Sequence, residues 1–221
     1  MHIADGILKI EECVAWFALS LPFIGYGIKK IKDRSKVNPG YKALLAFLAA
    51  AVFVISCIPI PVPIAGTCSH PAGTGITAIL AGPFISTVLA ACALLLQALF
   101  LAHGGISTLG ANIVSMGIMG SFAGYFSFKV FKKLGFKISI AGFIAGIMSD
   151  WVTYATTSFQ LAFSLSGKSD FIETFFKILI AFIPTQLPIG IIEGFITSAS
   201  VVIFMKKTNI LDKTVAKEIK I

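Results

Sequence analysis

Long apolar segments separated by clusters of basic residues constrain this chain more than any other feature. Most of its 18 Lys and Arg residues lie in three clusters, at 29–42, 129–137 and 206–220. The segments between the clusters are long enough for bilayer spans, which need about 20 residues each. Only 13% of the residues are charged, whereas a soluble domain carries about 25%. We therefore predict an all-α integral membrane protein.

Seven transmembrane helices are predicted, with the N-terminus outside and the C-terminus in the cytoplasm. The spans are 11–28, 42–60, 68–82, 84–102, 109–128, 138–161 and 174–205. The helical part of the third, from Pro71 to Gly82, is too short to cross alone. It must cross nonetheless if all three basic clusters are to face the cytoplasm, where Lys and Arg accumulate. The net charge of +8 thus indicates topology, and we expect no nucleic-acid partner.

This topology places every histidine of the chain on the outer side. His2 precedes the first span, and His70 and His103 lie in outer loops. No signal-peptide pattern is evident, so Met1 is expected to be the first residue of the mature chain. Its α-amine, the amide nitrogen of residue 2 and the His2 imidazole form small chelate rings on one metal ion.

A fourth nitrogen would complete a planar donor set, and His70 is the natural candidate. Such a set suits Ni(II), Cu(II) and low-spin Co(II). The alternative is that His2 is an ordinary residue on an exposed tail. The segment Ile58–Pro63 alternates with proline and is either a stiff strap that delivers His70 or a simple span terminator. We predict a single domain over 1–221, with a metal-binding segment at 1–10 and a cytoplasmic tail at 206–221.

Several residues are candidates for supporting or pathway roles around this site. They are Asp5, Cys68, Ser69, His103 and Asn112. Cys68 could instead be a thiolate ligand, which would favour zinc or copper. His103 could also be an interfacial histidine with no part in metal binding.

Two acidic residues lie inside predicted spans, where charges are costly. Asp150 and Glu193 either relay ions or pair with interior polar groups, and we favour pairing. Examples of such groups are Asn112, Gln97, Gln160 and Gln186. Small residues at four-residue spacing allow close helix packing, and an exposed pair could contact a partner helix. The pairs are Ala46 and Ala50, Gly120 and Gly124, Gly142 and Gly146, and Gly190 and Gly194.

Common catalytic motifs are missing from the sequence. The nearest approach to a phosphate-binding loop is Gly167-Lys168-Ser169, but position 162 is Ala. HExxH and GxSxG are also absent. We predict a transport subunit that is not an enzyme and has no cofactor of its own.

Several motifs together resemble those of one family. The chain resembles, over nearly its whole length, the substrate-binding M component (CbiM/NikM family) of energy-coupling-factor transporters for cobalt or nickel. The motifs are Met-His-Ile-Ala-Asp-Gly at 1–6, Gly-Thr-Cys-Ser-His-Pro-Ala-Gly at 66–73, Gln-Ala-Leu-Phe-Leu-Ala-His-Gly-Gly at 97–105, Thr-Leu-Gly-Ala-Asn at 108–112, Ser-Met-Gly at 115–117, Asp150 with Thr153-Tyr154, and Glu193-Gly194.

The resemblance implies a substrate site and a set of partners. It implies that Met1, His2 and His70 hold the metal ion. It also implies an ATPase pair that binds ATP, a long helical transmembrane coupling subunit and, in many members, a small accessory membrane protein. Ala46 and Ala50 lie in the helix that resembles the coupling-subunit contact of related components.

The resemblance leaves the choice of metal open. The Cys-Ser-His-Pro and Ala-His-Gly-Gly versions resemble the cobalt branch, which feeds cobalamin synthesis. Asp5 in the first motif, together with the affinity of four-nitrogen sites for nickel, favours the nickel branch. We predict Co(II) import, with Ni(II) import as the alternative and a stand-alone ion-coupled carrier as a further one.

Overall fold

Helices dominate the structure, a computed structural model that describes residues 2–38, 40–57, 60–61, 67–167 and 169–207, without the side chains of 60, 61, 67, 68 and 207. The described part contains seven helices: α1 (Ile10–Val37), α2 (Tyr41–Ser56), α3 (Thr74–Ala81), α4 (Pro83–Phe100), α5 (Leu109–Lys133), α6 (Ile138–Leu165) and α7 (Phe171–Lys207). Three short strands, β1 (His2–Ile3), β2 (Ile60–Pro61) and β3 (Thr67–Ser69), form a small antiparallel sheet.

The helix count confirms the predicted seven-helix membrane fold. Four of the helices, α4 to α7, are long and apolar enough to cross a bilayer, and α2 is a shorter apolar helix. α1 has 28 residues, with acidic residues in its first turn and basic residues in its last. This arrangement of charges complements the helix dipole. The middle of α5, Ile113–Gly120, is π-helical, and α7 contains Pro184 and Pro188.

The segment from His70 to Ala81 runs from one end of the bundle to the other. At one end, His70 contacts His2, which precedes α1. At the other, the guanidinium of Arg34, near the end of α1, donates to the Ala81 carbonyl at 2.8 Å and to the Tyr41 hydroxyl at 2.9 Å. The eight residues of α3 are all buried and span only about 12 Å. The rest of the distance between the two ends is therefore covered by the extended backbone before α3.

The described parts of the three basic clusters lie at the Arg34 end, which we call the basic end. Lys30 lies over the ring of Phe84 at the start of α4. Ile31 and Phe131, from two of the clusters, and Met205, directly before the third, pack on one apolar cluster. The opposite end, with His2 and His70, is called the histidine end. This arrangement agrees with the predicted separation of basic residues from histidines; residues 208–221 of the predicted tail lie outside the described range.

Small residues bring α6 and α7 into close contact. A methyl group added at Gly146 would lie 2.6 Å from the Glu193 carbonyl oxygen and 2.8 Å from the Gly194 Cα. Ala46 and Ala50, in contrast, are exposed on α2. The described Gly pairs therefore serve internal packing, and the alanine pair is available on the surface.

Candidate metal centre

The small sheet brings the first residues of the chain to the loop that carries His70. β1 pairs with β3 in a register that sets His2 opposite Cys68 and Ile3 opposite Thr67. β2 pairs with the other edge of β3, with Ile60 opposite Ser69. The described part of the proline-rich segment is thus an extended strand beside the His70 segment, as the strap interpretation predicts. Residues 58–59 and 62–66 lie outside the described range.

His2 and His70 face each other with two ring nitrogens in direct contact. His70 Nε2 lies 2.6 Å from His2 Nδ1, and both side chains are at most 1% exposed. His70 Nδ1 lies 2.9 Å from the Pro71 carbonyl oxygen. Because a carbonyl only accepts hydrogen bonds, His70 carries its proton on Nδ1 and presents a lone pair at Nε2. His2 Nδ1 is therefore the donor in the pair.

His103 completes a cluster of three imidazoles. Its ring centroid lies 4.4 Å from that of His2 and 5.2 Å from that of His70. One potential ligand nitrogen from each of the three histidines falls within 4.8 Å of the others. His103 is only partly buried. The predicted supporting residue thus lies directly beside the pair, with its ring nitrogens near theirs.

Burial keeps the imidazoles neutral. It lowers the pKa of His2 and of His70 well below the ordinary value, and the repulsion that two protonated rings would exert on each other lowers that of His2 further. Burial also lowers the pKa of His103. Neutral imidazoles bind metal without first releasing a proton to solvent, so the cluster can accept a cation at neutral pH.

The segment after His2 is held by side chains at the start of α5. The Ile3 amide donates to Asn112 Oδ1 at 2.8 Å, and the Ile3 carbonyl accepts from Asn112 Nδ2 at 3.1 Å and from Thr108 Oγ1 at 2.6 Å. Two residues on, Asp5 accepts from the Ser107 amide at 2.8 Å and from the Ser107 hydroxyl at 2.5 Å. The hydroxyl bond lowers the pKa of Asp5. Asn112 and Asp5 therefore fix the backbone that carries His2.

Three side chains of α7, here called the α7 clamp, hold the His70 segment from both sides. They are Thr185, Gln186 and Glu193. The Thr185 hydroxyl accepts from the Ser69 hydroxyl at 3.3 Å, and the Gln186 amide donates to the same hydroxyl. Glu193 accepts from the backbone amides of Ala72 at 2.5 Å and Gly73 at 3.0 Å. The predicted supporting residue Ser69 thus anchors the backbone next to His70.

Glu193 pairs with interior polar groups, as preferred from the sequence. Its partners here are backbone amides rather than the named side-chain amides, because the extended backbone before α3 leaves those N–H groups free to donate. The Asp150 Oδ2 atom has no hydrogen-bond partner within the described residues. Two predicted site residues, Met1 and the side chain of Cys68, lie outside the part of the chain that the structure describes.

Comparison with known proteins decides the family. The family model described as "Cobalt uptake substrate-specific transmembrane region", CbiM, matches residues 2–210. This chain belongs to the CbiM family. It is 51% identical to the cobalt transport protein CbiM of Geobacter sulfurreducens over 94% of this chain and 60% of that protein, so it spans less than two thirds of that relative. It is 47% identical to CbiM of Sorangium cellulosum over 96% of this chain and 95% of that protein.

Solved structures agree with the CbiM fold. A truncated transition metal transporter superposes with a TM-score of 0.80 at 25% identity, covering 94% of this chain and 99% of the other. A second transition metal transporter gives a TM-score of 0.80 at 24% identity, over 98% and 97% of the two chains. Family membership and the four long apolar helices make the chain a multi-pass membrane protein.

Some residues of this centre were not predicted from the sequence to support it. Ser107 and Thr108 hold the N-terminal segment of this CbiM member. The backbone carbonyl of Gln97 accepts a hydrogen bond from the His103 amide at 3.2 Å. The Gln97 side chain donates to the Ser56 hydroxyl at 2.7 Å. Thr108 lies in one of the recognised motifs, but a motif does not say which atoms touch. The Ser107 contact depends on loop geometry that has no periodic signal.

Proposed function

We propose that this chain captures Co(II) at the outer face of a cell membrane as the substrate-binding subunit of an energy-coupling-factor transporter. The observation that carries the proposal is the buried pair formed by His2 Nδ1 and His70 Nε2, 2.6 Å apart. Two nitrogens in neighbouring positions on one ion, each about 2.0 Å from it, are about 2.8 Å apart. Small movements of the two rings therefore admit the ion.

Each imidazole is prepared for its role by its neighbours. The Pro71 carbonyl holds the proton of His70 on Nδ1, so Nε2 is the ligand atom. In this proposal the proton of the His2 ring moves from Nδ1 to Nε2, and the ion takes its place between His2 Nδ1 and His70 Nε2. The amide nitrogen of His2 binds after it releases its proton to solvent. The α-amine of Met1 and the amide nitrogen of His2 supply the remaining two donors. Asp5, Ser69 and Asn112 support the site by fixing the backbone on either side.

Cobalt is favoured as the substrate, with nickel as the alternative. The relatives reported above are named as cobalt transport proteins, whereas four-nitrogen sites have a higher intrinsic affinity for nickel. A thiolate from Cys68 remains a candidate neighbour of the ion. The imported cobalt would supply cobalamin synthesis.

The charge distribution supports an orientation of the chain in the membrane for this proposal. The basic end faces the cytoplasm by the positive-inside rule, so the histidine end faces out. ATPase subunits bind ATP and act through a transmembrane coupling subunit, with a small accessory membrane protein as a further partner. The exposed Ala46 and Ala50 on α2 form a contact surface for the coupling subunit.

Equilibrium metal binding to the purified full chain tests this proposal. We expect His2→Ala and His70→Ala to weaken Co(II) binding more than about 100-fold, since each removes a ligand rather than a supporting group. Ser198→Ala is the matched control, because it removes one hydrogen bond between α7 and α6, to the Ser139 carbonyl, away from the histidines. Unchanged affinity in both histidine variants would refute the proposal.

A second experiment addresses the N-terminal amine and the carrier alternative. A non-removable residue fused ahead of Met1 should abolish tight binding, since it displaces the α-amine. The carrier alternative rests on the Asp150 Oδ2 atom, which has no hydrogen-bond partner among the described residues. It requires uptake into liposomes by this chain alone and loss of that uptake in Asp150→Asn.

A further inference from the structure

We infer that His103 is an additional ligand of the captured ion, approaching along the axis perpendicular to the plane of four nitrogens, and that it favours Co(II) over Ni(II). The inference rests on the proposed function of the centre. If the Met1 amine, the His2 amide, the His2 ring and the His70 ring fill the plane, a fifth nitrogen can approach only from above or below it. The other ligands therefore fix the position that His103 can take.

The distances place His103 within reach of such an ion. Potential ligand nitrogens of the three histidines all lie within 4.8 Å of one another. Nitrogens about 2.1 Å from a shared ion lie about 3 Å apart in neighbouring positions. The His103 ring is steeply inclined to both others, at 56° to His2 and 74° to His70, whereas those two are inclined by 31° to each other. A modest movement of the His103 ring therefore brings its nitrogen onto the ion.

The backbone on both sides of His103 is unusual and holds the ring at this place. Ala102 has φ 47°, the one positive value for a non-glycine residue in the described ranges, and this conformation costs about 1 kcal/mol or more. Gly104 has φ 83°, and a Cβ there would lie 3.2 Å from His2 Cδ2 and 3.4 Å from Asn112 Nδ2. The His103 amide donates to the Gln97 carbonyl at 3.2 Å. This strained turn is wrapped closely around the first histidine, as expected if a site requires the ring there.

Axial coordination affects the two metals differently. Planar low-spin Ni(II) has a filled orbital on the axis perpendicular to the plane, so an axial nitrogen gains little. Low-spin Co(II) has a single electron in that orbital and readily takes one axial donor. The intrinsic order of affinities favours nickel over cobalt at a nitrogen site. An axial imidazole from His103 raises the affinity for cobalt relative to nickel and so opposes that order. A site that imports cobalt needs such an effect.

Electron paramagnetic resonance of Co(II) bound to the purified full chain, without oxygen, tests the inference. The unpaired electron of low-spin Co(II) couples to an axial ¹⁴N nucleus, which splits each parallel cobalt line into three. We expect this triplet in the wild type and its loss in His103→Ala. The same variant should weaken Co(II) binding about 10-fold to 100-fold and Ni(II) binding less than about threefold, since nickel does not use the axial nitrogen.

Ser107→Ala is the matched control, because it loosens the same loop by removing a bond to Asp5 without removing a nitrogen. It should change the two metal affinities alike and keep the triplet. A wild-type spectrum without the triplet overturns the inference even if His103→Ala does not fold. An unchanged ratio of cobalt to nickel affinity in a folded His103→Ala also overturns it. Failure of the proposed function is distinguishable, because then the wild type binds neither ion or the His2 and His70 variants bind normally.

Discussion

Apolar side chains pack at both ends of this bundle, with Ile3, Leu8 and Phe182 in the cluster at the histidine end. The two ends differ in the hydrogen bonds that are added to this packing. At the histidine end, hydrogen bonds join residues more than 100 positions apart in sequence, as between Ile3 and Asn112 or Ala72 and Glu193. At the basic end, apolar side chains of five or more segments pack into one buried cluster. Arg34 supplies a polar link there, to Tyr41 and to the Ala81 carbonyl.

This difference separates two tasks within one membrane protein. Burial of apolar side chains is non-directional and tolerates small shifts, so the basic end can be stable without fixing any one atom. A metal centre needs atoms placed to within about 0.5 Å, and directional hydrogen bonds to the backbone supply that. Changes at the histidine end should therefore affect ion affinity, and changes in shared packing should affect the fold as a whole.

The largest effect is expected from Gly146→Ala, in the α6–α7 contact on which both ends depend. The new methyl group would meet backbone atoms of α7 at 2.6 and 2.8 Å, so the helices must separate. We expect a loss of about 2–3 kcal/mol in the free energy of unfolding, measured by denaturation in detergent. Gly142→Ala is the control, because its methyl group would lie 3.2 Å from the Ser198 Cα and should cost less. Equal stability of the two variants would contradict the close packing.

Asn112→Ala should weaken the contacts of the histidine end and leave those of the basic end unchanged. It leaves the buried Ile3 amide without its acceptor, which costs about 1–3 kcal/mol. Since that amide follows His2 directly, we expect Co(II) affinity to fall about 10-fold to 100-fold, measured by equilibrium binding. Gln160→Ala is the comparison, because it removes a similar bond to the neighbouring Ala111 carbonyl but does not touch the first residues of the chain. Similar losses of affinity in both variants would argue against a specific role of Asn112.

Glu193→Gln tests the α7 clamp with a smaller change. One carboxylate oxygen is replaced by an amide NH₂ group, which cannot accept from the backbone amide of Ala72 or Gly73. We expect affinities for Co(II) and Ni(II) to fall together by about tenfold, because the position of His70 changes and its chemistry does not.

Thr197→Val, one turn further along α7, is the control for this prediction. Its hydroxyl is buried and has no hydrogen-bond partner within the described residues. The isosteric change should leave metal binding intact. If Glu193→Gln binds both ions as tightly as Thr197→Val, the clamp does not position His70.

The sequence predicted the elements of this fold better than the contacts between them. Spans followed from hydrophobicity and from basic clusters, and the approach of His2 and His70 agrees with the expected ligand pair. α3 is shorter than the predicted helical part, from Pro71 to Gly82. It begins after Gly73, which has φ 69°, and ends before Gly82, which has φ 89°. Both are backbone conformations that interrupt a helix.

Contacts that need a particular register were out of reach from the sequence. Glu193 contacts the Ala72 amide only because α7 has one particular position along its axis relative to the extended backbone before α3. No sequence pattern within either segment predicts that position. The π-helical part of α5 at Ile113–Gly120 has the same apolar character as the rest of the predicted span, so the sequence did not indicate it. Asp5 and Asn112 were selected as candidate supporting residues, and their contacts with the backbone were not predicted.

The smallest expected effect is a pH dependence confined to the histidine end. The pKa values of His2 and His70 are lowered in the folded protein by burial, so the unfolded chain binds more protons. The stability contributed by the neutral rings is complete above the unfolded pKa of about 6.5 and is lost as the pH falls below it. Without metal, each of these histidines should lower the free energy of unfolding by roughly 0.7 kcal/mol when the pH falls from 7 to 6.

Denaturation of the metal-free chain at several pH values measures this dependence, and His2→Ala should flatten it. Asp5 contributes in a lower window, because its lowered pKa makes its contribution vanish only as the pH falls below its ordinary value of 3.8. Gly142→Ala, which alters packing alone, should keep the full pH dependence while lowering stability slightly at every pH. A His2→Ala profile parallel to that of the wild type would show that the buried ring is not the group that titrates, and the contrast between the two ends would then need another origin.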